Sequence, residues 1–189
     1  MDKDQLRGQL QKRLLAIPSE QRNEKSRRAC QNLISASQFQ SATSIMMYLP
    51  LPHEVDTTEA ILNAWQSGKS VAVPKISWQQ RRMIAVEINS LETGLPASAA
   101  GLRNPVMGVP MPFEEIDLVV TPALGFDRGG NRLGRGGSYY DRFFTDEKFR
   151  ASKCGLAFAE QVVDSIPVDS RDVPVDFLVT DEEVVYFND

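Results

Sequence analysis

The chain has 189 residues, 42% hydrophobic and 24% charged, which predicts one globular domain spanning residues 1–189. Its formal net charge of −4 argues against nucleic acid as the main partner, although a local basic patch can still bind a small anion. No apolar run approaches the roughly 20 residues that cross a bilayer, and the polar N-terminus lacks the apolar segment of a signal peptide. We therefore expect a cytoplasmic protein with no membrane partner.

Two amphipathic helices are predicted at the N-terminus. Leucines recur every three or four positions from Asp2 to Ile17, and a second helix is expected from Ser19 to Ile34. Lys3 and Arg7 are four residues apart and therefore project from one face of the first helix. That pair suits either an ordinary solvated face or contact with an anion.

The next segment is expected to carry a carboxylate at the end of a strand. The apolar run from Ile45 to Leu49 predicts a core strand, and a helix is expected from Glu59 to Gln66. Ligands commonly bind at the carboxyl ends of strands in α/β sheets, so Glu54 is suitably placed to accept N–H bonds from a heterocycle. A solvated loop acid is the alternative. His53, the only histidine, is assigned no role.

Alternating helices and strands predict a single-domain α/β fold with an open, mostly parallel sheet flanked by helices on both faces. The region from Leu91 to Pro112 is predicted to be a long irregular connection of the kind that often covers a substrate. Cys30 and Cys154 are predicted to be buried structural thiols. The remaining predicted strands are Ser70 to Pro74, Met83 to Ile88, Leu118 to Leu124, Cys154 to Phe158, Phe177 to Thr180 and Val184 to Phe187.

A glycine-rich stretch before a predicted helix, Tyr139 to Phe149, is the strongest chemical signal. We call residues 133–138 the glycine loop. Its glycines allow the backbone to approach a ligand closely, and free N–H groups with the positive end of a helix favour phosphate. Arg132 and Arg135 add forked cations suited to phosphate oxygens. The pattern is neither a P-loop nor a dinucleotide fingerprint, and a flexible surface turn with two solvated arginines is the alternative.

Four separated motifs carry a resemblance to a known family. The motifs are Lys3-x-x-x-Arg7, Tyr48-Leu49-Pro50-Leu51-Pro52-His53-Glu54-Val55-Asp56-Thr57, Arg132-Leu133-Gly134-Arg135-Gly136-Gly137-Ser138-Tyr139-Tyr140-Asp141 and Asp172-Val173-Pro174-Val175-Asp176. In this order and spacing the chain resembles the 5-formyltetrahydrofolate cyclo-ligase family over nearly its full length.

The resemblance implies an enzyme that uses ATP and Mg²⁺ to convert 5-formyltetrahydrofolate into 5,10-methenyltetrahydrofolate, with release of ADP and phosphate. The formyl oxygen would attack the γ-phosphate, and a folate nitrogen would then close the ring. Such a reaction depends on positioning and charge neutralisation more than on a covalent protein intermediate. The substrate would be the folate, with or without a polyglutamate tail. Separately from the resemblance, we expect a monomer.

The resemblance also implies a role for each matching residue. Arg135 and Tyr139 would be catalytic. The ATP contacts would be Lys3, Arg7, Arg132, Leu133, Gly134, Arg135, Gly136, Gly137, Ser138, Tyr139 and Tyr140. The folate contacts would be Leu49, Glu54, Arg135, Gly136, Gly137, Ser138 and Tyr139. Magnesium would be held by Asp141 and Asp172, for which an early-helix carboxylate and a turn former are the respective alternatives.

Two departures from the family pattern are visible. Ser138 stands where the family usually has glycine, which predicts either a negative φ or a strained backbone at that position. The segment at Asn104 and Pro105 lacks a glutamate that the family more often carries, so no role is assigned there.

Two other functional classes fit the sequence less well. A non-catalytic nucleotide or folate-binding regulator would use the same loop without turnover, and Ser138 is the feature that supports it. A sugar-phosphate isomerase or acyl-CoA transferase of related architecture would act without ATP, but neither has a use for the Tyr-Tyr-Asp sequence of residues 139–141.

Overall fold

The computed structural model describes residues 1–187 as one α/β unit. The helices are α1 (Lys3–Ala16), α2 (Ser19–Ser35), α3 (Ser37–Ser41), α4 (Thr58–Gln66) and α5 (Tyr139–Phe144). The strands are β1 (Ser44–Met47), β2 (Ser70–Ser77), β3 (Arg82–Ile88), β4 (Val109–Pro110), β5 (Leu118–Thr121), β6 (Gly125–Asp127), β7 (Arg132–Leu133), β8 (Ser152–Leu156), β9 (Val162–Val163), β10 (Phe177–Val179) and β11 (Val184–Tyr186).

Eight of these strands form the main sheet, in the order β11-β10-β8-β5-β1-β2-β3-β4. The five central strands, from β10 to β2, run parallel. The pairings of β11, β3 and β4 at the two sides are antiparallel. The predicted α/β class with a mostly parallel sheet is therefore confirmed, with antiparallel strands added at both edges.

Both faces of the main sheet are buried. Four helices cover one face, and the other face carries a smaller core to which α5 contributes. Ile45 and Met47 of β1 point into the larger core, which contains buried side chains of α1, α2, α3 and α4. Met46, between them, points into the second core, where α5 contributes Phe143 and Phe144. This alternation along one strand is expected because successive side chains leave opposite faces of a sheet.

The N-terminal helices match their sequence patterns. Asp2 caps α1, since its carboxylate accepts from the Gln5 N–H at 2.8 Å and the Gln5 side chain accepts from the Asp2 N–H. The buried residues of this helix are the predicted leucines. Pro18 precedes α2, where its fixed φ suits the start of a helix. Within residues 1–187, no helix is both long and apolar enough to span a bilayer.

Two predicted elements are shorter in the structure. The strand expected from Leu118 to Leu124 ends at Thr121, because Pro122 cannot donate a backbone hydrogen bond. The helix expected from Tyr139 to Phe149 ends at Phe144. Asp146 forms a turn by accepting from the Lys148 N–H at 2.9 Å, so the spacing of the later aromatics reflects a side-chain cluster rather than a continued helix.

Strand β2 is longer than predicted, because Pro74 does not end it. β1 pairs only with residues Ser70 to Ala72 of β2, so at Pro74 the strand has β3 as its one neighbour in the sheet. A missing N–H costs little where no second strand is present to accept it. The β2–β3 hairpin therefore extends well beyond the sheet centre, with its turn at residues 78–81.

The region from Leu91 to Pro112 is mostly irregular, as predicted, but it is anchored. Its β4 segment pairs with β3, and Ala97 and Arg103 form an isolated antiparallel bridge. The side-chain amide of Asn104 accepts from the Ile76 N–H at 2.8 Å and donates to the Ile76 carbonyl at 3.0 Å. This residue therefore ties the long connection to the far part of β2.

The glycine loop follows a small sheet of three strands, ordered β7-β6-β9. The Leu124 N–H donates to the Leu133 carbonyl at 2.8 Å, and β7 pairs with β6 in antiparallel fashion. Buried Asp127 accepts from the N–H groups of Gly129, Asn131 and Ile166, which fixes the turn before β7. The small sheet thus sets where the glycine loop begins.

Candidate active site

A cavity of about 600 Å³ lies beyond the ends of β1 and β5 and is bordered by the glycine loop. All fifteen residues predicted to form the site line it. They are Lys3, Arg7, Leu49, Glu54, Arg132, Leu133, Gly134, Arg135, Gly136, Gly137, Ser138, Tyr139, Tyr140, Asp141 and Asp172. The structure therefore brings together residues from four distant parts of the chain, while their individual roles stay predictions.

The glycine loop contains two residues in left-handed or related conformations. Gly136 has φ +114°, and a Cβ there would meet open space, so the conformation rather than the available room favours glycine. Ser138 has φ +54°, which is uncommon for a residue with a side chain. Of the two conformations predicted for Ser138, the strained one is therefore observed.

Helix α5 begins directly after Ser138 but has only six residues. A helix of this length would attract an anion less strongly than the longer predicted helix. Ser138 also provides no side-chain cap for α5. Positive charge in the cavity is instead supplied mainly by side chains, with the lysine and four arginines Lys3, Arg7, Arg132, Arg135 and Arg171 facing the four acids Glu54, Asp141, Asp169 and Asp172. The cavity is thus more basic than the chain as a whole.

Arg132, directly before the glycine loop, has a buried side chain. One guanidinium nitrogen donates to Asp141 Oδ1 at 3.2 Å, and the guanidinium carbon lies 5.3 Å from the centre of the Tyr140 ring. The Arg132 side chain is only 5% exposed, and its Nε has no hydrogen-bond partner among the described residues. Burial raises the pKa of the Tyr140 hydroxyl, although the charge of Arg132 opposes this rise. This cluster fixes Arg132 and Asp141 relative to one another.

Helix α1 contributes two cations to the same cavity. Lys3 Nζ lies 2.6 Å from Asp172 Oδ2 and 2.9 Å from Asp169 Oδ2. Arg7 Nε donates to the Gly134 carbonyl at 2.9 Å, which connects α1 directly to the glycine loop. The four-residue spacing of Lys3 and Arg7 therefore points both side chains inward, rather than to a solvated face.

The Lys3 ion pairs change the acidity of their members. Burial lowers the pKa of Lys3, but the hydrogen bonds and charges of Asp172 and Asp169 outweigh it, so the pKa is raised. The hydrogen bond from Lys3 is the main cause that lowers the pKa of Asp169 to about 2. The Lys3 ammonium and the Asp169 carboxylate are therefore both charged near neutral pH, and Arg171 Nε is a second cation 3.4 Å from Asp169 Oδ1.

Glu54 is held against the opposite side of the cavity. Its Oε2 accepts from the Leu51 N–H at 2.8 Å, and its Oε1 lies 3.3 Å from a guanidinium nitrogen of Arg135. Burial raises the pKa of Glu54, and the Leu51 N–H and Arg135 offset only part of this rise. Glu54 is thus a buried acceptor, not the solvated loop acid of the alternative prediction.

The turn that carries Glu54 has a specific geometry. The Glu54 N–H donates to the Leu51 carbonyl at 3.1 Å, and His53 has φ +71°, as in a type II turn with Pro52 at its second position. His53 lies outside the cavity lining, which agrees with its having no assigned role. Behind the turn, Thr57 Oγ1 donates to the Tyr48 carbonyl, and the Tyr48 hydroxyl donates to the Val55 carbonyl.

Asp141 and Asp172 have the donor chemistry that magnesium requires. Val173, the residue after Asp172, donates its N–H to Asp141 Oδ1 at 3.1 Å, so the two acids belong to adjoining segments. In residues 1–187, no hydrogen bond is recorded for Asp141 Oδ2 or Asp172 Oδ1. The described part of the chain contains no cluster of three or more metal-ligating side chains. Two carboxylate oxygens suit a Mg²⁺ ion that takes its other ligands from phosphate and water.

Several residues of the cavity were not predicted. Asp169 and Arg171 line it from the turn before Asp172, where their short spacing to that aspartate was the available signal. Trp78 and Ile76 reach it because β2 is longer than predicted. Leu102 comes from the long connection predicted to cover a substrate, so part of that region does border the cavity.

The cysteines are buried away from this chemistry, as predicted. Neither Cys30 nor Cys154 forms a disulfide bond. Burial raises the pKa of Cys30 to about 12 and that of Cys154 well above its usual range, so both remain thiols near neutral pH.

Comparison with known proteins gives a consistent result. A model of the 5-formyltetrahydrofolate cyclo-ligase family matches residues 1–181. The chain is 33% identical over 181 residues to the 5-formyltetrahydrofolate cyclo-ligase of Mus musculus, covering 90% of this chain and 89% of the mouse protein. It is 26% identical over 179 residues to the Escherichia coli K12 cyclo-ligase, covering 93% and 98% of the two chains.

Among solved structures, the fold is similar to the NMR structure of Aquifex aeolicus 5,10-methenyltetrahydrofolate synthetase. The TM-score is 0.84 at 32% sequence identity, and the match covers 100% of this chain and 94% of the Aquifex chain.

Proposed function

Because the chain belongs to the 5-formyltetrahydrofolate cyclo-ligase family, a family of ligases, we propose that it converts 5-formyltetrahydrofolate into 5,10-methenyltetrahydrofolate at the expense of ATP. The observation that carries this proposal is the convergence of Lys3, Glu54, Arg135 and Asp172 on one cavity. These four residues belong to four separate motifs, and they combine the cations and acids that a phosphoryl transfer next to a heterocycle needs.

The proposed reaction has two steps. The formyl oxygen attacks the γ-phosphorus, a new P–O bond forms, and the bond to ADP breaks. The neighbouring folate nitrogen then attacks the activated carbon, the C–O bond breaks with release of phosphate, and the nitrogen loses its proton. No side-chain nucleophile is needed, so the protein contributes alignment and neutralisation of charge.

Arg135 is the proposed catalytic cation. Its side chain is 40% exposed and contacts Glu54, so it extends from the glycine loop across to the folate side of the cavity. A guanidinium there can neutralise charge on the transferred group. Tyr139, at the other end of the loop, is the second proposed catalytic contact, and its ring lies beside the β2–β3 hairpin.

Lys3, Arg7, Arg132 and the loop backbone are proposed to bind the ATP phosphates. Lys3 and Arg7 reach the cavity from α1, whereas Arg132 reaches it from beneath the loop. Cations on two sides can bind the phosphate chain of a nucleotide at more than one point, which favours an in-line arrangement of the γ-phosphate.

Asp141 and Asp172 are proposed to hold Mg²⁺ through Asp141 Oδ2 and Asp172 Oδ1, for which no hydrogen bond is recorded in residues 1–187. When bound, the ion would offset negative charge on the nucleotide phosphates. The protein orients both acids beforehand, because Asp141 accepts from Arg132 and Val173, and Asp172 accepts from Lys3 and the Asp169 N–H.

Leu49 and Glu54 are proposed to bind the folate ring system. Glu54 Oε1 faces the Arg135 guanidinium and Oε2 accepts from the Leu51 N–H, which supports a role for this carboxylate in binding a planar donor. Leu49 is 5% exposed and supplies an apolar surface beside it. A pterin presents both an apolar face and N–H donors, so this pair is suited to it.

A direct assay tests the proposal. Wild-type protein mixed with ATP, Mg²⁺ and 5-formyltetrahydrofolate should produce the absorbance of the methenyl product, and omission of ATP should abolish it. Product formed without ATP would contradict the proposal. Binding of ATP and folate without any product would favour the non-catalytic regulator, for which left-handed Ser138 is the supporting observation.

A further inference from the structure

Arg142 lies outside the cavity lining, yet it contacts both segments that form one side of the cavity. We propose that Arg142 is a positioning residue, which fastens the glycine loop to the β2–β3 hairpin and so holds Ser138 left-handed and Tyr139 in place. The effect of Arg142 on turnover rests on the function proposed above. Its hydrogen bonds to the hairpin and to the glycine loop do not depend on that function.

The contacts of Arg142 span the gap between two parts of the chain. Its Nε donates to the carbonyl of Arg81, in the hairpin turn, at 3.0 Å. A terminal nitrogen donates to the carbonyl of Gly137, in the glycine loop, at 2.9 Å. The planar fork of arginine makes two directed hydrogen bonds with one side chain, so its position restrains both carbonyls.

The same guanidinium completes a set of contacts around Tyr139. Its carbon lies 4.9 Å from the ring centre of Tyr139, within the range of a cation–π contact. Trp78 of the hairpin meets this ring edge-on, with centroids 5.5 Å apart and an angle of 88°. A Cβ at Gly137 would lie 2.6 Å from the ring, so the loop backbone closes a third side. Tyr139 is thus enclosed by the hairpin, the loop and Arg142.

The left-handed backbone conformation of Ser138 is the reason that the glycine loop needs support from Arg142. Its φ of +54° is sterically unfavourable for a residue with a side chain. Arg142 contacts the chain on both sides of this position, because its side chain binds the Gly137 carbonyl and its own N–H donates to the Ser138 carbonyl at 3.1 Å. A strained residue persists where its surroundings fix it, and Arg142 supplies part of that surrounding.

Arg150 offers a matched control for the loss of an exposed arginine. It is exposed, as Arg142 is. Within residues 1–187, its hydrogen bonds go only to the nearby carbonyls of Glu147 and Phe149, both at 2.7 Å. Arg150→Ala therefore removes an exposed arginine without disconnecting two distant segments.

The kinetic test compares these two variants. Arg142→Ala should lower kcat/KM by roughly 10- to 100-fold, since small displacements of positioned groups are costly to catalysis. Arg142→Lys keeps the cation near Tyr139 but not the two-bond fork, and its rate should lie between those of wild type and Arg142→Ala. Arg150→Ala should match the wild type. Equal rates in Arg142→Ala and Arg150→Ala would overturn the proposal.

A spectroscopic test needs no substrate. The chain has two tryptophans, Trp65 and Trp78, so a Trp65→Phe background leaves Trp78 as the sole reporter on the hairpin. Arg142→Ala in that background should lower the fluorescence anisotropy of Trp78, because the ring loses a fixed Tyr139 neighbour. Unchanged anisotropy would overturn the proposal, even if the rate fell.

A second substitution tests the strain argument. Ser138→Gly in the Arg142→Ala background should recover at least part of the lost kcat, because glycine adopts a positive φ without support. A double variant no more active than Arg142→Ala contradicts the proposed role toward Ser138. If wild-type protein shows no turnover with ATP and 5-formyltetrahydrofolate, the proposed function fails, and the anisotropy comparison still decides the role of Arg142.

Discussion

Lys3 Nζ lies 2.6 Å from Asp172 Oδ2, so a side chain proposed to bind phosphate and one proposed to bind magnesium are partners of each other. The residues are far apart in sequence and meet because α1 packs beside the turn that precedes Asp172. If an Mg–nucleotide bound to both, the ion pair between Lys3 and Asp172 would be replaced by two contacts. Lys3 would contact a phosphate, and Asp172 would contact the metal ion. The pair therefore keeps both side chains oriented toward the position of the ligand.

The first prediction concerns Lys3. Lys3→Met should raise the KM for ATP about tenfold, equivalent to about 1.4 kcal/mol, with a smaller change in kcat, because Lys3 is proposed to contact the nucleotide in the ground state as well. Steady-state rates at varied ATP measure this. Lys12→Met, an exposed site on the same helix, is the control. An unaltered KM for ATP in Lys3→Met would remove Lys3 from the nucleotide site.

The second prediction concerns Arg135. Arg135→Ala should lower kcat by about 100-fold or more, as expected for the loss of a group that stabilises developing charge. The thermal unfolding midpoint should change little, because this side chain is 40% exposed. Arg150→Ala again serves as the control. Wild-type turnover in Arg135→Ala would exclude the proposed catalytic role.

The third prediction separates two functions of Asp141. Asp141→Asn should raise the magnesium concentration needed for half-maximal activity, because one proposed ligand loses its charge. It should also lower the free energy of unfolding by about 3 kcal/mol, since Arg132 is left as a buried cation without its counter-charge. Magnesium titrations and urea unfolding measure the two effects.

Asp164, an exposed acid, provides the control for that experiment. Asp164→Asn should change neither quantity. A magnesium titration of Asp141→Asn that matches the wild type would show that the metal assignment is wrong, whatever the unfolding data give.

The fourth prediction uses the raised pKa of Glu54. A carboxyl group with a higher pKa in the folded than in the unfolded state binds protons more tightly when folded, so it contributes less stability as pH rises. Between pH 4 and pH 7, roughly spanning the region above the ordinary carboxyl pKa, wild type should lose stability relative to Glu54→Gln. Urea unfolding at several pH values measures the difference. A difference that moves the other way would mean that burial does not dominate at Glu54.

Local patterns in the sequence account for much of the fold. The leucine spacing of α1 and the apolar run of β1 predict elements close to those observed, because both depend on side-chain periodicity within a short segment. The end of β2 was missed at Pro74, since the cost of proline depends on whether a neighbouring strand is present. Short α3 and β4 have too few residues to show a period.

The residues of the site could likewise be predicted only in part from the sequence. The motif residues were predictable because the family resemblance assigns them one by one, and they do line a common cavity. Trp78 and Arg142 were not, because each contacts residues distant in sequence. Arg142, for example, occupies an ordinary helix position, and only the folded chain brings its guanidinium to the carbonyl of Arg81.

We propose that ATP activates the formyl oxygen, and an isotope label follows that atom directly. 5-Formyltetrahydrofolate labelled with ¹⁸O in the formyl group would be turned over by wild-type protein with ATP and Mg²⁺, and the released phosphate would be analysed by mass spectrometry. We expect one ¹⁸O atom in each phosphate formed. Unlabelled phosphate accompanying the methenyl product would contradict it, because the formyl oxygen would then have left without being phosphorylated.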